Sequence, residues 1–234
     1  MKKPIAIIQH DPHDGPSYFA TWLTAQGIAF EVLRMFDGAA LPARITDHSG
    51  LCLLGGPMSA NDPLPYFDAL LAQVREAVAC GIPVIGHCLG GQLLSRALGG
   101  TVQSSENEEI GWSQLEAVHA DAAAWFGDIQ PLQLFQWHGE SFSIPPGATP
   151  LLRGAYCANQ AYVVDGIHLG MQFHCEVDDA KVRAWLELGA EEVRRCASPG
   201  VQQAGDILRT LATDLAHSQR IASHIYARWT RSLR

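Results

Sequence analysis

The chain has 234 residues, of which 47% are apolar and 17% are charged, as is usual for a packed globular protein. Its formal net charge of −8 argues against sequence-independent binding to nucleic acid, which depends on a basic surface. The sequence lacks an apolar run of the roughly 18 to 20 residues that span a membrane, and the apolar segment behind Met1-Lys2-Lys3 is too short for a signal peptide, so we expect a cytoplasmic protein without membrane or nucleic-acid partners.

The first half of the chain alternates segments with strand and helix patterns. One helix-like segment ends at Gly27 and another at Gly81, and glycine is a common C-terminal stop. The third strand-like segment is almost wholly apolar, as in strands that are buried on both faces. This βαβ order predicts an α/β fold of three layers, an open and mainly parallel sheet with helices on both faces. The predicted strands cover 4–10, 28–34, 50–56 and 83–86, and the predicted helices cover 17–27, 67–78 and 89–98.

The second half of the chain contains strand-like segments followed by helical ones. Asp165-Gly166 between two apolar runs predicts a hairpin. From Asp178 the pattern is helical, and after a break at 198–200 a further helical stretch follows. The strand-like segments are 110–118, 132–138, 161–169 and 170–176, and the last helical stretch has an apolar stripe of Ile207, Leu208, Leu211, Leu215, Ile221, Ile225 and Trp229.

The sequence shows no internal repeat, linker or low-complexity segment. We therefore predict a single domain over 1–234, with a core at about 4–190 and a C-terminal helical extension at about 200–234. The last segment carries four arginines and, after Asp214, no acidic residue, which favours a solvated helix face over a docking surface for an acidic partner. These arginines are Arg220, Arg228, Arg231 and Arg234.

The chain has six cysteines, and an even number raises the question of a disulfide framework. The chain is long, shows no secretion signal and contains no CxxC pair, so we expect reduced thiols. Most of them are predicted to be small buried side chains. The six are Cys52, Cys80, Cys88, Cys157, Cys175 and Cys196.

One cysteine lies where a predicted strand passes into a predicted helix, in the segment Gly86-His87-Cys88-Leu89-Gly90. Small residues two before and two after a nucleophile are typical of the sharp strand-to-helix turn known as a nucleophile elbow. Such a turn exposes the sulfur above the carboxyl ends of the strands and places it at a helix N-terminus, which favours thiolate. The alternative is a buried structural cysteine in a glycine-rich turn.

A cysteine nucleophile needs a base, and the base needs an orienting group. Two H-x-E units offer both, His138-Gly139-Glu140 and His174-Cys175-Glu176, because residues i and i+2 of an extended segment face the same way. His174 is predicted to end an apolar strand at the same sheet edge as Cys88, with His138 as its competitor. The same alternation points Cys175 away from the His174 face.

Two glycines after the third predicted strand, in Gly55-Gly56-Pro57, allow the main chain to approach a substrate closely. Backbone N–H groups at such a turn can form an oxyanion hole. An ordinary tight turn explains the same three residues when they are considered alone.

These three pieces, in this order, resemble the class I glutamine amidotransferase domain. The segments "LLGGPMS", "GHCLGGQ" and "MQFHCEV" are similar to the family's oxyanion strand, nucleophile elbow and His-Glu segment. "EIGW" at 109–112 and "WHGES" at 137–141 resemble stand-alone proteins related to the glutaminase domain of GMP synthase. The resemblance covers roughly residues 4–190 and implies a flavodoxin-like sheet.

Residue by residue, the resemblance implies a catalytic triad of Cys88, His174 and Glu176. It implies oxyanion donors from the backbone of Gly56 and Leu89. The family's substrate pocket matches Gly55, Gln92, His138 and Gly139. Cys175 replaces a proline of the family pattern, which we expect to leave the triad chemistry intact, to make the strand end less rigid and to bring an extra thiol near the site.

The implied reaction is transfer of a γ-glutamyl group from an amide to Cys88 and then to water, without cofactor or metal. The chain shows no phosphate-binding P-loop. Ammonia therefore either passes to a separate synthetase or is released, and the second case makes the protein a hydrolase of glutamine or another γ-glutamyl compound. A glutaminase subunit that needs activation by a partner is the alternative within the same family.

Three readings from other classes remain open at this point. An α/β-hydrolase should place its acid before its histidine in the chain, whereas Glu176 follows His174. A non-catalytic partner-binding module is disfavoured by the intact Cys, His and Glu set. A metal site built from His138, Glu140, His174 and Cys175 matches no familiar zinc spacing.

Overall fold

A computed structural model describes residues 3–234, and Met1 and Lys2 of the predicted basic flank lie outside the described residues. Within this range the chain forms an open sheet of ten strands in the order β10-β5-β7-β8-β9-β4-β3-β1-β2, with β6 paired to β5. The strands are β1 (Ile5–Gln9), β2 (Phe30–Arg34), β3 (Gly50–Leu53), β4 (Val84–His87), β5 (Val102–Ala117), β6 (Leu132–Phe142), β7 (Thr149–Arg153), β8 (Ala161–Val164), β9 (His168–Met171) and β10 (Gly200–Val201). The α-helices are α1 (Ser17–Ala25), α2 (Phe67–Ala79), α3 (Leu89–Ala97), α4 (Ala122–Phe126), α5 (Asp179–Leu188), α6 (Ala190–Arg195) and α7 (Ala204–Thr230).

The centre of the sheet is parallel, since β2, β1, β3, β4 and β9 all pair in the same direction. Successive side chains of β1 enter opposite cores: Ile5 and Ile7 pack with α1 and α7, while Ala6 and Ile8 pack with α2 and α3. Burial on both faces explains why these strands are apolar throughout. The predicted mainly parallel sheet between two helical layers is confirmed.

The predicted C-terminal extension contributes directly to the main core. Ile225, Tyr226 and Trp229 of α7 are fully buried and pack with β1 and α1 on one face of the sheet. The predicted apolar stripe is right except at Leu208, which is 38% exposed because it lies beside the buried row of Ile207 and Leu211. Every helix within residues 3–234 is too short or too polar to cross a bilayer.

The terminal arginines do not form one continuous basic surface, because three of them have separate contacts. The guanidinium of Arg228 lies 5.6 Å from the ring centroid of Trp125. Nη2 of Arg220 is 2.9 Å from Nδ1 of His217, and Nε of Arg234 donates to the carbonyl oxygen of Gly81 at 2.9 Å. These contacts anchor α7 and the chain end to neighbouring elements.

The hairpin predicted at Asp165-Gly166 joins β8 to β9, with φ angles of 51° and 70° that suit a tight two-residue turn. The prediction of one strand through 170–176 is wrong, since β9 ends at Met171. The chain then leaves the sheet, and His174 forms a single bridge with Phe135 of β6. The apolar alternation continues through this segment because Phe173 and other side chains stay buried, so the pattern could not indicate the end of the strand.

Candidate active site

Cys88 occupies a strained position between β4 and α3. Its backbone has φ 47° and ψ −109°, a conformation that L-residues rarely adopt. A Cβ at Gly86 would lie 2.4 Å from the backbone of Gly90, and a Cβ at Gly90 would lie 2.1 Å from the carbonyl oxygen of Leu53. Both flanking positions therefore require glycine, and the segment has the elbow geometry that the sequence predicts.

His174 is buried and directly oriented by Glu176. Its Nδ1 donates to Oε1 of Glu176 at 2.7 Å, and its ring packs edge-to-face on Trp185 with the centroids 4.8 Å apart. Burial by itself lowers the pKa of His174, but the charges of Glu176 and Cys88 and hydrogen bonds to both residues raise that pKa to about 10. The structure thus pairs His174 with Glu176 and places His174 and Cys88 on the lining of one cavity.

A buried lysine completes this network and was missed in the sequence. Nζ of Lys181 donates to Oε1 of Glu176 at 3.0 Å and to the carbonyl oxygen of Gly15 at 2.9 Å, and it pairs with Asp14. Burial by itself raises the pKa of Glu176, but the charges of Lys181 and His174 hold it well below its usual range. Lys181 lies in the first turn of an amphipathic helix, where a lysine normally indicates a solvated face.

The turn with the predicted oxyanion donor Gly56 packs against the elbow. A Cβ placed on Gly56 would lie 3.2 Å from Cδ2 of Leu89 and 2.5 Å from Sδ of Met58, so these side chains fit there because residue 56 is glycine. Neither the Gly56 nor the Leu89 N–H has a hydrogen-bond acceptor among residues 3–234. These N–H groups remain available to a developing negative charge.

A cavity of about 670 Å³ opens above the sulfur of Cys88. Its lining residues include most of the predicted site: Gly56, Cys88, Gln92, His138, Gly139 and His174. Gln92 is held by a hydrogen bond from its Nε2 to the carbonyl oxygen of Glu140 at 3.1 Å. Gly55 supports the site from behind, because a Cβ there would lie 2.9 Å from Cε1 of His174.

The second H-x-E unit does not form a histidine–glutamate pair. Nε2 of His138 is 3.2 Å from Oε2 of Glu109, a fully buried carboxylate that also accepts from Nε2 of Gln160 at 2.7 Å. The Glu140 carboxylate accepts instead from Oγ of Ser59 at 2.8 and 3.0 Å. The residues pair in this way because Glu109 lies opposite His138 in the β5–β6 ladder.

The predicted alternative of a metal site is not assembled. Within residues 3–234, the clusters of potential metal ligands place His138 with Glu109 and Cys157, whereas His174 lies in a different cluster with Asp14 and Glu176. The competing donors proposed from the sequence therefore do not converge on one point.

Cys175 points into the core, as the alternation of the H-x-E segment predicts. Its Sγ lies 3.4 Å from the hydroxyl oxygen of Tyr226, and that hydroxyl lies 3.4 Å from Nε2 of His87. Burial raises the pKa of the Cys175 thiol and lowers that of His87 to about 4. Both groups are therefore neutral at pH 7 and belong to the layer beneath the triad.

Comparison with known proteins identifies relatives for most of the chain. A sequence model described as "Glutamine amidotransferase class-I" matches residues 23–186. The crystal structure of a glutamine amidotransferase from Methylobacillus flagellatus is 48% identical in sequence and superposes with a TM-score of 0.98, covering 100% of this chain and 96% of that one. A glutamine amidotransferase from Thermotoga maritima is 27% identical, with a TM-score of 0.87 and coverage of 98% of both chains.

Two named proteins extend this comparison. The glutamine amidotransferase-like protein YfeJ of Salmonella typhimurium is 28% identical over 81% of this chain and 82% of its own length. The glutamine-hydrolysing GMP synthase of Thermomicrobium roseum is 37% identical over 131 residues, which are 55% of this chain but only 23% of the synthase. The chain thus corresponds to about a quarter of that larger enzyme.

Proposed function

The chain belongs to the class I glutamine amidotransferase family, and from that premise we propose that it hydrolyses the γ-glutamyl amide bond of glutamine or of a related γ-glutamyl compound through a thioester on Cys88. The observation that carries this proposal is that a strained cysteine, an oriented imidazole and the glycine of the predicted oxyanion turn line one cavity. Glutamate and either ammonia or an amine are the products.

In the first half-reaction the Cys88 sulfur, having passed its proton to His174, attacks the γ-carbonyl carbon. The carbonyl oxygen takes the negative charge and is stabilised by the N–H groups of Gly56 and Leu89. His174 then gives its proton to the departing nitrogen as the C–N bond breaks. A γ-glutamyl thioester and a free amine, or ammonia, remain.

In the second half-reaction His174 removes a proton from water, which attacks the thioester carbonyl. The same two N–H groups receive the second oxyanion, and the C–S bond breaks to release glutamate and free the Cys88 sulfur for the next turnover. Glu176 keeps the imidazole in one orientation and stabilises its positive charge. Lys181 and Asp14 hold Glu176 in place through the buried contacts described above.

The remaining predicted residues form the wall that holds the glutamyl part. The hydrogen bond from Gln92 to the Glu140 carbonyl fixes the Gln92 amide beside the cavity. His138 and Gly139 contribute the facing strand, and the Glu109 contact fixes the ring of His138. We assign these three residues to substrate binding.

The released nitrogen has two possible fates. Delivery of ammonia to a separate synthetase is supported by the similarity to one part of a glutamine-hydrolysing GMP synthase. Simple release to solvent is the other fate. A glutaminase that works only with its partner is the alternative in the first case.

The test is acid-quench mass spectrometry of the purified protein mixed with glutamine or a γ-glutamyl dipeptide. We expect a mass increase of one glutamyl unit on Cys88, absent in Cys88→Ala, together with glutamate release. A folded protein that forms neither product with any γ-glutamyl donor would overturn autonomous hydrolysis. In that case it would have to be assayed with a partner or treated as a non-catalytic binding module.

A further inference from the structure

The cavity is larger than the proposed glutamine substrate requires. Glutamine has ten non-hydrogen atoms and, at about 30 Å³ each, the share of a water molecule in the liquid, needs no more than about 300 Å³. The cavity measures about 670 Å³. There is room for a substrate that extends well beyond glutamine.

The extra space is bounded by the corner between α5 and α6. Leu188, Gly189 and Glu192 line the cavity there, and all three lie beyond residue 186, where the family match ends. A Cβ at Gly189 would lie 2.3 Å from the indole ring of Trp137, so this corner packs directly on the strand above Cys88. The wall is therefore a fixed part of the site.

This wall faces the leaving-group end of the bound substrate. His174 must reach the departing nitrogen, and Trp185 packs edge-to-face on His174. Trp137 lies next to Trp185, with ring centroids 5.9 Å apart. A group attached to the nitrogen would consequently pass along the paired indole rings and the side chain of Leu188, which is 62% exposed.

The charges at the outer end of this path are negative, whereas at its inner end Nζ of Lys181 lies 4.7 Å from the ring centroid of Trp185. The lining of the cavity includes four carboxylates and neither lysine nor arginine. Asp14 is neutralised by Lys181, but Asp11 and Glu192 form no ion pair within residues 3–234. Nε1 of Trp137 donates to Oε2 of Glu192 at 3.2 Å, so a neutral donor holds this carboxylate beside the aromatic rings. Indole faces and a carboxylate together favour an alkylammonium group.

We propose that the α5–α6 wall is a leaving-group subsite for γ-glutamyl amides whose amine part is a short alkyl chain ending in an ammonium group. This inference rests on the proposed function and names its substrate class. Trp137 and Leu188 contact the alkyl chain, and Glu192 with Asp11 faces the terminal charge. Cleavage follows the steps given above: the C–N bond breaks, His174 protonates the nitrogen, and a diamine leaves.

Three γ-glutamyl amides of nearly equal length test the subsite. They are the amides of 1,4-diaminobutane, n-pentylamine and 4-aminobutanoate, which end in a cation, a methyl group and an anion. We expect kcat/KM to fall in that order, with the cationic amide about tenfold better than the neutral one, as an exposed ion pair and a cation–π contact together allow. Equal rates, or a preference for the anion, would overturn the proposal.

Two neighbouring glutamates provide the variant and its matched control. Glu192→Gln keeps the shape of the side chain and should reduce the ratio of cationic to neutral kcat/KM to within about threefold of unity. Glu191→Gln changes a glutamate that pairs with Arg195 outside the cavity, and its ratio should match that of the unaltered protein. An unchanged ratio in Glu192→Gln would remove Glu192 from the subsite.

The same assays separate this inference from the proposed function. Glutamine turnover without a charge preference among the three amides would refute the subsite alone. Absence of both thioester and glutamate with every donor would refute the proposed function. Titration of Cys88→Ala with the three uncleaved amides by calorimetry then gives a second readout, in which tighter binding of the cationic amide supports the subsite and equal binding contradicts it.

Discussion

The Nζ atom of Lys181 lies 3.0 Å from Oε1 of Glu176, the same oxygen that accepts the proton of His174 Nδ1. Both Lys181 and Glu176 are buried, so this contact joins a fixed positive charge to the orienting member of the triad. Asp14 pairs with Lys181 from the loop after β1, and the lysine thereby connects two distant segments around the imidazole. We infer that the network keeps Glu176 ionised and in one orientation.

Removal of the lysine charge should damage both stability and turnover. Lys181→Met leaves the Asp14 and Glu176 carboxylates buried without their cation, which costs about 3 to 5 kcal/mol of unfolding free energy for a broken buried ion pair. Urea unfolding measures this loss. The double variant Asp14→Asn/Lys181→Met contains one unpaired carboxylate fewer and should recover part of the stability; no recovery would show that Asp14 is not coupled to Lys181.

The two pocket histidines should respond differently to substitution. His174→Ala removes the group that exchanges protons with Cys88 and should lower kcat by at least about a thousandfold. His138→Ala should mainly raise KM, because His138 contacts Glu109 and lines the cavity without touching Glu176. Steady-state kinetics with glutamine or the best donor decides this. If the two effects were exchanged, the base would have to be reassigned to His138.

The features that the sequence predicts correctly depend on short spacings. The glycines around Cys88 and the i, i+2 pair of His174 and Glu176 are local patterns, and the structure places each where its pattern indicates. The parallel sheet follows from the alternation of apolar strands with helices. The conformation of these features is determined by residues that are close together in the sequence.

The features that the sequence could not indicate depend on distant contacts. Glu109 pairs with His138 through the β5–β6 ladder, and Lys181 pairs with Asp14 across most of the chain length. The residues next to Glu109 and Asp14 in the sequence do not indicate that either carboxylate is buried. The helix α4 was also missed because its five residues make little more than one turn, and the strand β7 was missed because Pro150 argues against a strand. The apolar residues of α7 indicate a buried stripe but not the face of the sheet that it covers.

Stability should depend on pH through His174. Its pKa is raised from 6.5 to about 10 in the folded protein, so His174 taken by itself binds an extra proton between these values, and its own contribution to stability falls as pH rises through this window. The contribution is fully present below about pH 6.5. In Cys88→Ala the charge and hydrogen bond of the sulfur are lost, so the pKa of His174 should be lower and the fall should begin at lower pH. Urea unfolding from pH 6 to 10 tests this; superimposable profiles would contradict the Cys88–His174 coupling.

The six thiols should be labelled at different rates by reagents of different shape. Cys80 is exposed and Cys88 is 6% exposed, so a small unspecific alkylating reagent should label Cys80 readily. A chloroketone or diazoketone shaped like glutamine should instead label Cys88 first, because only that cysteine lines the cavity. Peptide mass mapping after brief exposure identifies the site. Labelling of Cys175 by the glutamine-like reagent would contradict both its burial and the assignment of Cys88.

A methyl group at residue 55 should disturb catalysis without touching substrate. The Cβ of Gly55→Ala would lie 2.3 Å from Oδ2 of Asp14 and 2.9 Å from Cε1 of His174, so one or both side chains must move. A displacement of about 1 Å in a catalytic group can cost about a hundredfold in rate, and we expect a loss of this order in kcat. Gly205→Ala is the control, because a Cβ at residue 205 meets nothing within 4 Å. Residue 205 lies in α7, where replacing glycine by alanine is expected to add about 0.4 to 1 kcal/mol of unfolding free energy. Kinetics and urea unfolding of both variants separate the two effects: a stable Gly55→Ala protein with full kcat would show that the position of His174 does not depend on the absence of a side chain at residue 55.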